Sequence, residues 1–193
     1  MSDAAAGSHA SNVGKWDCVY AGLSVRNQGP ALYANALTYL MAAAFLADVE
    51  EVEDWGCGGG GFRRFCLSPR YIGLDGSKTP FADKIVDLCT YSSNAPGIMM
   101  RHILEHNYDW EKILISAVRS FRQKFCLVLF TPFASETKEI AHNRKKYGID
   151  VPDLSFKRED IERHFTGLRW KLIENLATQS LYNVEHVYFI WRE

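Results

Sequence analysis

The sequence predicts an α/β fold built on an open, doubly wound sheet, and three observations carry this prediction. An apolar and acidic run over residues 49–55 has the length of a buried strand and ends in Gly56, Cys57 and four further glycines. A strand that leads into a glycine turn and then a helix is how open α/β sheets bind nucleotide-like ligands. A second predicted strand ends in Asp75 about 20 residues beyond the turn, where a ribose-binding carboxylate belongs. The run 125–130 is continuously apolar, like strands buried on both faces of a parallel sheet.

Size and composition are those of an ordinary globular protein. The 193 residues are enough for one domain with a substantial core. The net charge of −1 and the pI of about 6.6 predict no bulk attraction to nucleic acid or to an anionic membrane. No apolar run reaches the length of a membrane span.

The N-terminus and the cysteines favour a cytoplasmic protein. Residues 1–14 are rich in Ala, Ser and Gly and lack a basic start followed by an apolar core, so we expect a disordered tail and no secretory signal. Residues 15–193 then form a single domain. The five cysteines show neither metal-ligand spacing nor a disulfide framework, which predicts reduced thiols.

The remaining elements follow from periodicity and turn residues. Apolar residues at helical spacing, with Pro30 in the first turn, predict a helix over residues 31–47 that packs on the sheet. Upstream, residues 16–28 carry aromatic and polar side chains that either line a substrate entrance or pack as a surface arm. After the glycine turn the patterns predict a short helix over 62–67, a strand over 71–75, a helical link over 76–83, a weak strand over 84–88, a strand over 97–100, a helix over 110–121, a strand over 125–130, a helix over 155–165 and strands over 170–175 and 184–191.

The connection over residues 133–153 is charged and looks irregular. It contains the basic run 142–146, which either forms a solvated face or recognises an anionic group. Connections of this length in a compact domain are typical of lids and substrate loops. We therefore expect residues 133–153 to form a substrate loop that closes over the acceptor.

Carboxylates at two predicted strand ends are candidate nucleotide ligands. Asp75 can accept hydrogen bonds from both vicinal ribose hydroxyls, with helix capping as the alternative. Asp87 can accept one from an adenine amino group while Leu88 covers the ring, or it can simply form a turn. The pattern Gly56-x-Gly58-x-x-Gly61 is also the literal dinucleotide fingerprint, which alone does not distinguish between cofactors.

Taken together, these segments resemble the class I S-adenosylmethionine-dependent methyltransferases, in particular the small type with a Leu-Glu-His element after the fourth strand. The resemblance covers about residues 49–133 and implies a Rossmann-like, three-layer α/β/α sandwich. Its sheet would be mostly parallel and seven-stranded, with an antiparallel last strand. The matching segments are 53–60, 73–77, 87–88, 101–106 and 131–133.

The resemblance implies that S-adenosylmethionine is the cofactor and S-adenosylhomocysteine the product. The glycine turn would wrap the methionine part, Asp75 would hold the ribose, and Arg101 would lie beside the sulfonium. Arg101 departs from the family, which usually has a small or neutral polar residue there, so a side chain turned toward substrate is the alternative. The implied cofactor-binding residues are Asp54, Trp55, Gly56, Cys57, Gly58, Asp75, Gly76, Ser77, Asp87, Leu88, Arg101 and His102.

A hydroxyl acceptor needs a base, because a protonated hydroxyl is a poor nucleophile. His106, His102 and Glu105 are the candidates, since all three lie near the carboxyl ends of the predicted strands. The alternative is that the Leu-Glu-His element is a structural turn that packs the following helix. Two neighbouring ligands, Glu105 and His106, are too few to predict a metal.

A small molecule or a sugar hydroxyl of a glycan is the favoured acceptor. No Asn/Asp-Pro-Pro-aromatic tetrapeptide follows the fourth strand, so the pattern of base-amino methyltransferases is absent. Methylation of an amine or of nucleic acid is the alternative. Two functions of other classes compete: an NAD-dependent oxidoreductase, which the glycine fingerprint permits, and a non-catalytic binding module that keeps the cofactor fold.

Overall fold

The computed structural model describes residues 13–22, 35–142, 149 and 151–193. Short 3-10 turns cover Phe62–Arg64, Leu104–His106 and Arg163–Phe165. The α-helices in this part of the chain are α1 (Asp17–Tyr20), α2 (Leu37–Phe45), α3 (Trp110–Ser120) and α4 (Arg158–Glu162). The strands are β1 (Glu51–Trp55), β2 (Arg70–Asp75), β3 (Lys84–Ile85), β4 (Ala95–Arg101), β5 (Phe121–Leu129), β6 (Lys138–His142), β7 (Pro152–Ser155), β8 (Arg169–Ala177) and β9 (Val184–Trp191).

Seven of these strands form one sheet in the order β3-β2-β1-β4-β5-β9-β8. The first five strands of this order are parallel, and β9 runs antiparallel to both of its neighbours. Trp55 at the end of β1 pairs with Leu74 of β2 and Met100 of β4. The glycine turn, residues 56–61, therefore begins beside Asp75 and Arg101. The predicted fold class is confirmed.

Helices cover both faces of the sheet and complete three layers. Helix α3 buries Ile113, Leu114 and Ala117 against one face, together with Trp55. Helix α2 buries Ala42 and Ala43 against the other face. Burial of a large apolar side chain contributes roughly 1.5–3 kcal/mol, so the two clusters fix the sheet between its helices.

Successive side chains of β1 point to opposite faces of the sheet, so the carboxylates of Glu53 and Asp54 lie on different faces. Glu53 lies on the α3 side, where Trp55, Tyr91 and Ser93 donate hydrogen bonds to its carboxylate at 3.0, 3.0 and 2.8 Å. Asp54 lies on the other side and accepts a bond of 2.6 Å from the hydroxyl of Tyr71. These partners offset the cost of burying polar groups in the core.

Several predicted bounds are wrong. The helix predicted over 62–67 is only the 3-10 turn Phe62–Arg64, and the strand over 84–88 is only Lys84–Ile85. The link over 76–83 contains bends and turns instead of a helix, because Asp75 and Asp83 accept bonds from backbone N–H groups in and beside it. The helix over 155–165 narrows to Arg158–Glu162 followed by a 3-10 turn.

The connection predicted to be irregular contains a β-hairpin. Strands β6 and β7 pair antiparallel, with Lys138 opposite Ser155. Most side chains of β6 are exposed, so no apolar alternation marks the strand in the sequence. Residues 143–148 and 150 of this connection lie outside the described residues, as do 31–34 of the first predicted helix.

The predicted N-terminal tail is described only at its end. The N–H of Gly14 donates to the carbonyl of Gly76 at 2.7 Å, and the expected disorder of the tail stays a prediction. Residues 1–12 lie outside the described residues. Within the described part of the chain, no helix has the length and apolar character needed to cross a bilayer.

Candidate active site

A cavity of about 410 Å3 opens at the carboxyl ends of β1, β2 and β4. In open α/β sheets this edge is where ligands bind. Its lining includes predicted site residues at or after all three strand ends, together with Leu88 beyond β3. They are Gly56, Cys57, Gly58, Asp75, Gly76, Leu88, Arg101, His102 and His106.

The glycine turn has a backbone that only glycine accepts without strain. Gly56 has φ +76° and Gly58 has φ +51°, both in the left-handed region. A Cβ on Gly56 would lie 2.1 Å from Cδ1 of Ile103. The N–H groups of Gly56 and Cys57 both donate to the carbonyl of Leu74, at 2.8 and 2.9 Å, and so hold the turn against β2.

Asp75 closes the other side of the turn. Its Oδ2 accepts a bond of 2.9 Å from the N–H of Gly58, and its Oδ1 accepts one of 2.8 Å from the N–H of Ser77. Burial raises the pKa of Asp75 to about 6, although the backbone N–H donors work in the opposite direction. Each carboxylate oxygen has a second lone pair, so the group can accept further bonds from a ligand diol.

One wall of this cavity comes from the chain upstream of the sheet. The N-terminal segment, residues 13–22, is tied down by bonds from the N–H of Trp16 to Oγ of Ser77 and from the N–H of Lys78 to Asp17, each 2.7 Å. Lys15 donates from Nζ to the carbonyl of His106 at 2.9 Å. Trp16, Val19 and Tyr20 of this segment line the cavity. The substrate entrance stays a prediction, and residues 23–28 lie outside the described part.

Tyr20 brings a hydroxyl into the cavity beside the glycine turn. A Cβ on Gly58 would lie 3.1 Å from this oxygen. Burial, reinforced by the charge of Asp75, raises the pKa of Tyr20 far above its ordinary value. The hydroxyl is therefore a neutral donor and acceptor.

Arg101 lines the cavity but directs its guanidinium to Glu185 on β9. Nη2 lies 2.5 Å from Oε1 of Glu185, Nε donates to Thr38 at 3.1 Å, and Nη1 donates to the hydroxyl of Tyr39 at 3.0 Å. The predicted alternative, a side chain turned toward substrate, is therefore not what these contacts show.

His102 contacts the same carboxylate oxygen. Its Nε2 lies 2.5 Å from Oε1 of Glu185, and its backbone has φ +58°. Burial and the neighbouring Arg101 charge lower the pKa of His102 to about 3, although the Glu185 contact raises it. The ring is therefore neutral. Burial opposes ionisation of Glu185, but the hydrogen bond with His102 and the charge of Arg101 hold the pKa of Glu185 below its ordinary value.

His106 lies at the edge of the cavity and faces a buried carboxylate. Its Nδ1 is 3.2 Å from Oδ1 of Asp153 and 3.1 Å from the carbonyl of Pro152. A proton assigned to Nδ1 is donated to the carbonyl of Pro152, which leaves Nε2 without a proton, while Oδ1 of Asp153 lies within ion-pair distance of the ring. Tyr182 donates to Oδ2 of Asp153 at 2.8 Å. The ring centroid of Trp16 lies 5.3 Å from that of His106.

Glu105 does not line the cavity. It is fully buried, and its Oε1 accepts a bond of 2.6 Å from the N–H of Phe130. No described residue forms a hydrogen bond with its Oε2, and burial raises the pKa of Glu105 to about 8. This placement matches the predicted alternative of a structural turn and not that of a base.

Four predicted cofactor ligands, namely Asp54, Trp55, Ser77 and Asp87, are not among the residues that line the cavity. Asp54 is bonded to Tyr71 in the core, and burial raises its pKa to about 7 against the effect of that bond. Trp55 is fully buried beside Tyr91. Asp87 accepts a bond of 2.9 Å from the N–H of Cys89, as its turn-forming alternative predicts. Ser77 touches the site only through its bonds to Trp16 and Asp75.

Sequence reasoning missed Asp153 and Glu185. Both are distant in sequence from the residues they contact, His106 and Arg101, so no spacing connects them. Among the residues that the structure describes, no three His, Cys, Asp or Glu side chains converge to hold a metal.

Comparison of the sequence with protein-family models and with curated proteins finds no match. Comparison of the structure with solved structures does find similarity. The 1,6-didemethyltoxoflavin-N1-methyltransferase of Burkholderia thailandensis, with bound 1,6-didemethyltoxoflavin and S-adenosylhomocysteine, matches with a TM-score of 0.61. The two chains are 10% identical, and the match covers 81% of this chain and 76% of the other. The chain has the class I methyltransferase fold.

Two other solved structures support the methyltransferase fold. A chain of the Haloferax volcanii complex between the Trm112 methyltransferase activator and the putative methyltransferase matches with a TM-score of 0.59 and 14% identity, over 92% of this chain and 97% of that one. The magnesium protoporphyrin IX methyltransferase of Synechocystis, with bound S-adenosylhomocysteine, matches with a TM-score of 0.55 and 15% identity, over 82% and 81%. The predicted resemblance is thus confirmed at the level of the fold.

Proposed function

We propose that this protein is an S-adenosylmethionine-dependent methyltransferase that methylates a hydroxyl group of a small molecule or of a sugar in a glycan. One observation carries the proposal. The same cavity runs from the carboxylate of Asp75 and the glycine turn to the imidazole of His106. The proposed nucleoside-binding end and the proposed basic end therefore share one cavity.

The residues of this cavity fit the cofactor. Asp75 presents two carboxylate oxygens to a vicinal diol, and Leu88 offers a buried apolar surface to a base ring. Gly56 and Gly58 leave the backbone bare where a ligand passes close to it. When bound, the cofactor supplies a methyl group activated on sulfur. Enclosure by the N-terminal segment holds the reactants in position and limits the access of water, which supplies much of the rate of such a transfer.

His106 is the proposed base for the acceptor hydroxyl. The carbonyl of Pro152 accepts the hydrogen bond from its Nδ1, and the carboxylate of Asp153 lies 3.2 Å from the same nitrogen, so that Nε2 can take the hydroxyl proton. His102 is unsuited to this task, because its Nε2 is held by Glu185 and its pKa lies near 3. An amine acceptor would need no such base, so the His106–Asp153 pair favours a hydroxyl.

The aromatic ring beside His106 supports a sugar or another flat acceptor. Trp16 lies against the imidazole, and aromatic faces suit the apolar faces of sugars. We propose that residues 133–153 border the acceptor, since Asp153 at the end of this connection contacts the base. Replacing the hairpin would then impair turnover and leave cofactor affinity near normal.

The test is a calorimetric titration with S-adenosylhomocysteine, with NAD run in parallel. We expect micromolar binding of S-adenosylhomocysteine alone, and weaker binding by Asp75→Asn, which keeps the size of the side chain. Asp48→Asn is the matched control, because Asp48 is exposed and pairs with Lys124 away from the cavity. Binding of NAD instead would indicate an oxidoreductase, and binding of neither would sink the proposal. Labelled methyl transfer into a metabolite or glycan extract then separates an enzyme from a binding module.

A further inference from the structure

A buried ion pair forms part of the cavity wall. Arg101 and His102 line the cavity, and both contact the same oxygen, Oε1 of Glu185, at 2.5 Å. The side chain of Glu185 is 0% exposed and lies behind this wall. Arg101 therefore places a positive charge in the cavity wall, and the carboxylate of Glu185 that compensates it lies behind that wall, on the side away from the cavity.

The arginine is held in this orientation by neighbours from α2. Nε of Arg101 donates to Oγ1 of Thr38, which in turn donates to Oε2 of Glu185 at 3.1 Å. The guanidinium also lies 4.2 Å above the ring of Tyr39, whose hydroxyl accepts from Nη1 at 3.0 Å. These contacts fix the distance between the charge and the cavity.

The position of this charge matters because the cavity is small. A space of about 410 Å3 is on the order of 10 Å across, so any group bound in it lies near Arg101. At that separation, with little intervening water, one uncompensated charge changes the binding of an ionic ligand by about tenfold.

We propose that Glu185 is a specificity-determining residue for the cationic form of the cofactor. S-adenosylmethionine carries a sulfonium cation, whereas S-adenosylhomocysteine carries a neutral thioether and is otherwise alike. An uncompensated Arg101 would repel S-adenosylmethionine and would leave the binding of S-adenosylhomocysteine unaffected. It would therefore favour the product over the methyl donor. Glu185 cancels that field. This inference rests on the proposed use of S-adenosylmethionine.

The experiment compares calorimetric titrations with S-adenosylmethionine and S-adenosylhomocysteine at pH 8, where His102 stays neutral. In Glu185→Gln we expect the affinity for S-adenosylmethionine to fall about tenfold relative to that for S-adenosylhomocysteine. In Arg101→Gln we expect the affinity for S-adenosylmethionine to rise relative to that for S-adenosylhomocysteine. The double variant should return near the wild-type ratio, because it removes both charges.

A matched control and three outcomes decide the matter. Glu50→Gln also breaks a carboxylate–arginine pair, with Arg122 at 3.1 Å, but on the surface, and it should leave the ratio unchanged. A wild-type protein that binds neither ligand overturns the proposed function, and this inference with it. Wild-type binding of both with an unchanged ratio in the single variants overturns this inference alone. If Glu185→Gln does not fold, the other two variants still test the inference. It is overturned if the affinity for S-adenosylmethionine relative to that for S-adenosylhomocysteine fails to rise in Arg101→Gln, or fails to return to the wild-type ratio in the double variant.

Discussion

Nδ1 of His106 lies 3.2 Å from Oδ1 of Asp153, and the two residues come from segments that are far apart in the sequence. His106 belongs to the 3-10 turn after β4, whereas Asp153 belongs to β7 of the hairpin. Asp153 is fully buried, and its Oδ2 accepts a hydrogen bond from Tyr182 in the connection between β8 and β9. Three separate segments thus meet to orient one imidazole.

This relationship predicts graded losses of turnover. We expect His106→Asn to lower kcat by about 10²- to 10⁴-fold, the usual contribution of a general base. Asp153→Asn should cost less, about tenfold or more, because the ring loses only its orienting charge. Tyr182→Phe should cost least. The measurement is the initial rate of labelled methyl transfer, together with the affinity for S-adenosylhomocysteine, which should not change.

The exposed Asp48→Asn variant again serves as the control, and it should transfer methyl groups at the wild-type rate. Equal rates in wild type and His106→Asn would contradict the assignment of the base. A loss of cofactor affinity in Asp153→Asn that parallels the loss of rate would instead indicate a structural role for this carboxylate.

The affinity for S-adenosylhomocysteine should depend on pH through Asp75. Burial raises the pKa of Asp75 to about 6, and the protonated acid presents one acceptor fewer to a ribose. We therefore expect constant affinity above about pH 7 and weaker binding as the pH falls through about 6. Calorimetry across this range is the measurement.

Two variants separate Asp75 from its acidic neighbour. Asp75→Asn is neutral at every pH, so its binding should be weak and nearly independent of pH. Asp54 has a pKa raised to about 7 but does not line the cavity, so Asp54→Asn should keep the pH dependence. If the affinity of Asp54→Asn for S-adenosylhomocysteine did not depend on pH, the pH dependence would arise from Asp54 and not from Asp75.

Local sequence patterns predicted what depends on neighbouring residues in the chain. The glycine turn follows from conformational freedom at Gly56 and Gly58, and the buried strands follow from continuous apolar runs. Asp75 could be singled out because the end of a strand fixes where its side chain lies.

Contacts made across the fold could not be predicted in this way. Glu185 lies 84 residues from Arg101, and only the pairing of β9 with β5 brings them together. The same holds for Asp153, which reaches His106 through a hairpin that carries no apolar alternation. The sequence placed Glu105 near the strand ends but could not show that its side chain turns into the core.

Gly56 and Gly167 allow backbone strain to be separated from a steric clash. Their φ values are nearly equal, +76° and +78°, yet a Cβ on Gly167 would meet no atom within 4 Å. We expect Gly167→Ala to cost about 1 kcal/mol, the cost of a left-handed alanine. Gly56→Ala should cost about 1–3 kcal/mol more, because the new methyl overlaps Ile103. Urea unfolding measures both, and equal costs would show that the turn can move away from Ile103.

Glu105 should make the stability of the protein depend on pH. Burial raises its pKa to about 8, above the ordinary value of 4.5, so the folded state holds a proton that the unfolded state releases between these two values. The free energy of unfolding should therefore fall by roughly 1 kcal/mol per pH unit across that window. Glu105→Gln keeps the bond from Phe130 and cannot ionise, so its stability should fall less steeply.

The difference in the free energy of unfolding between wild type and Glu105→Gln separates the effect of Glu105 from that of the other groups that titrate in the same pH range. Asp54 and Asp75 also have raised pKa values and act in the same direction, whereas His102 and His186 have lowered pKa values and act in the opposite one. All four are present in both proteins, so their effects cancel in the difference. Urea unfolding of wild type and Glu105→Gln from pH 5 to about 8 is the measurement, with the exposed Glu136→Gln as control. Parallel stability curves would mean that Glu105 is ionised in the folded protein, and its buried Oε2 would then need a cation that the described residues do not supply.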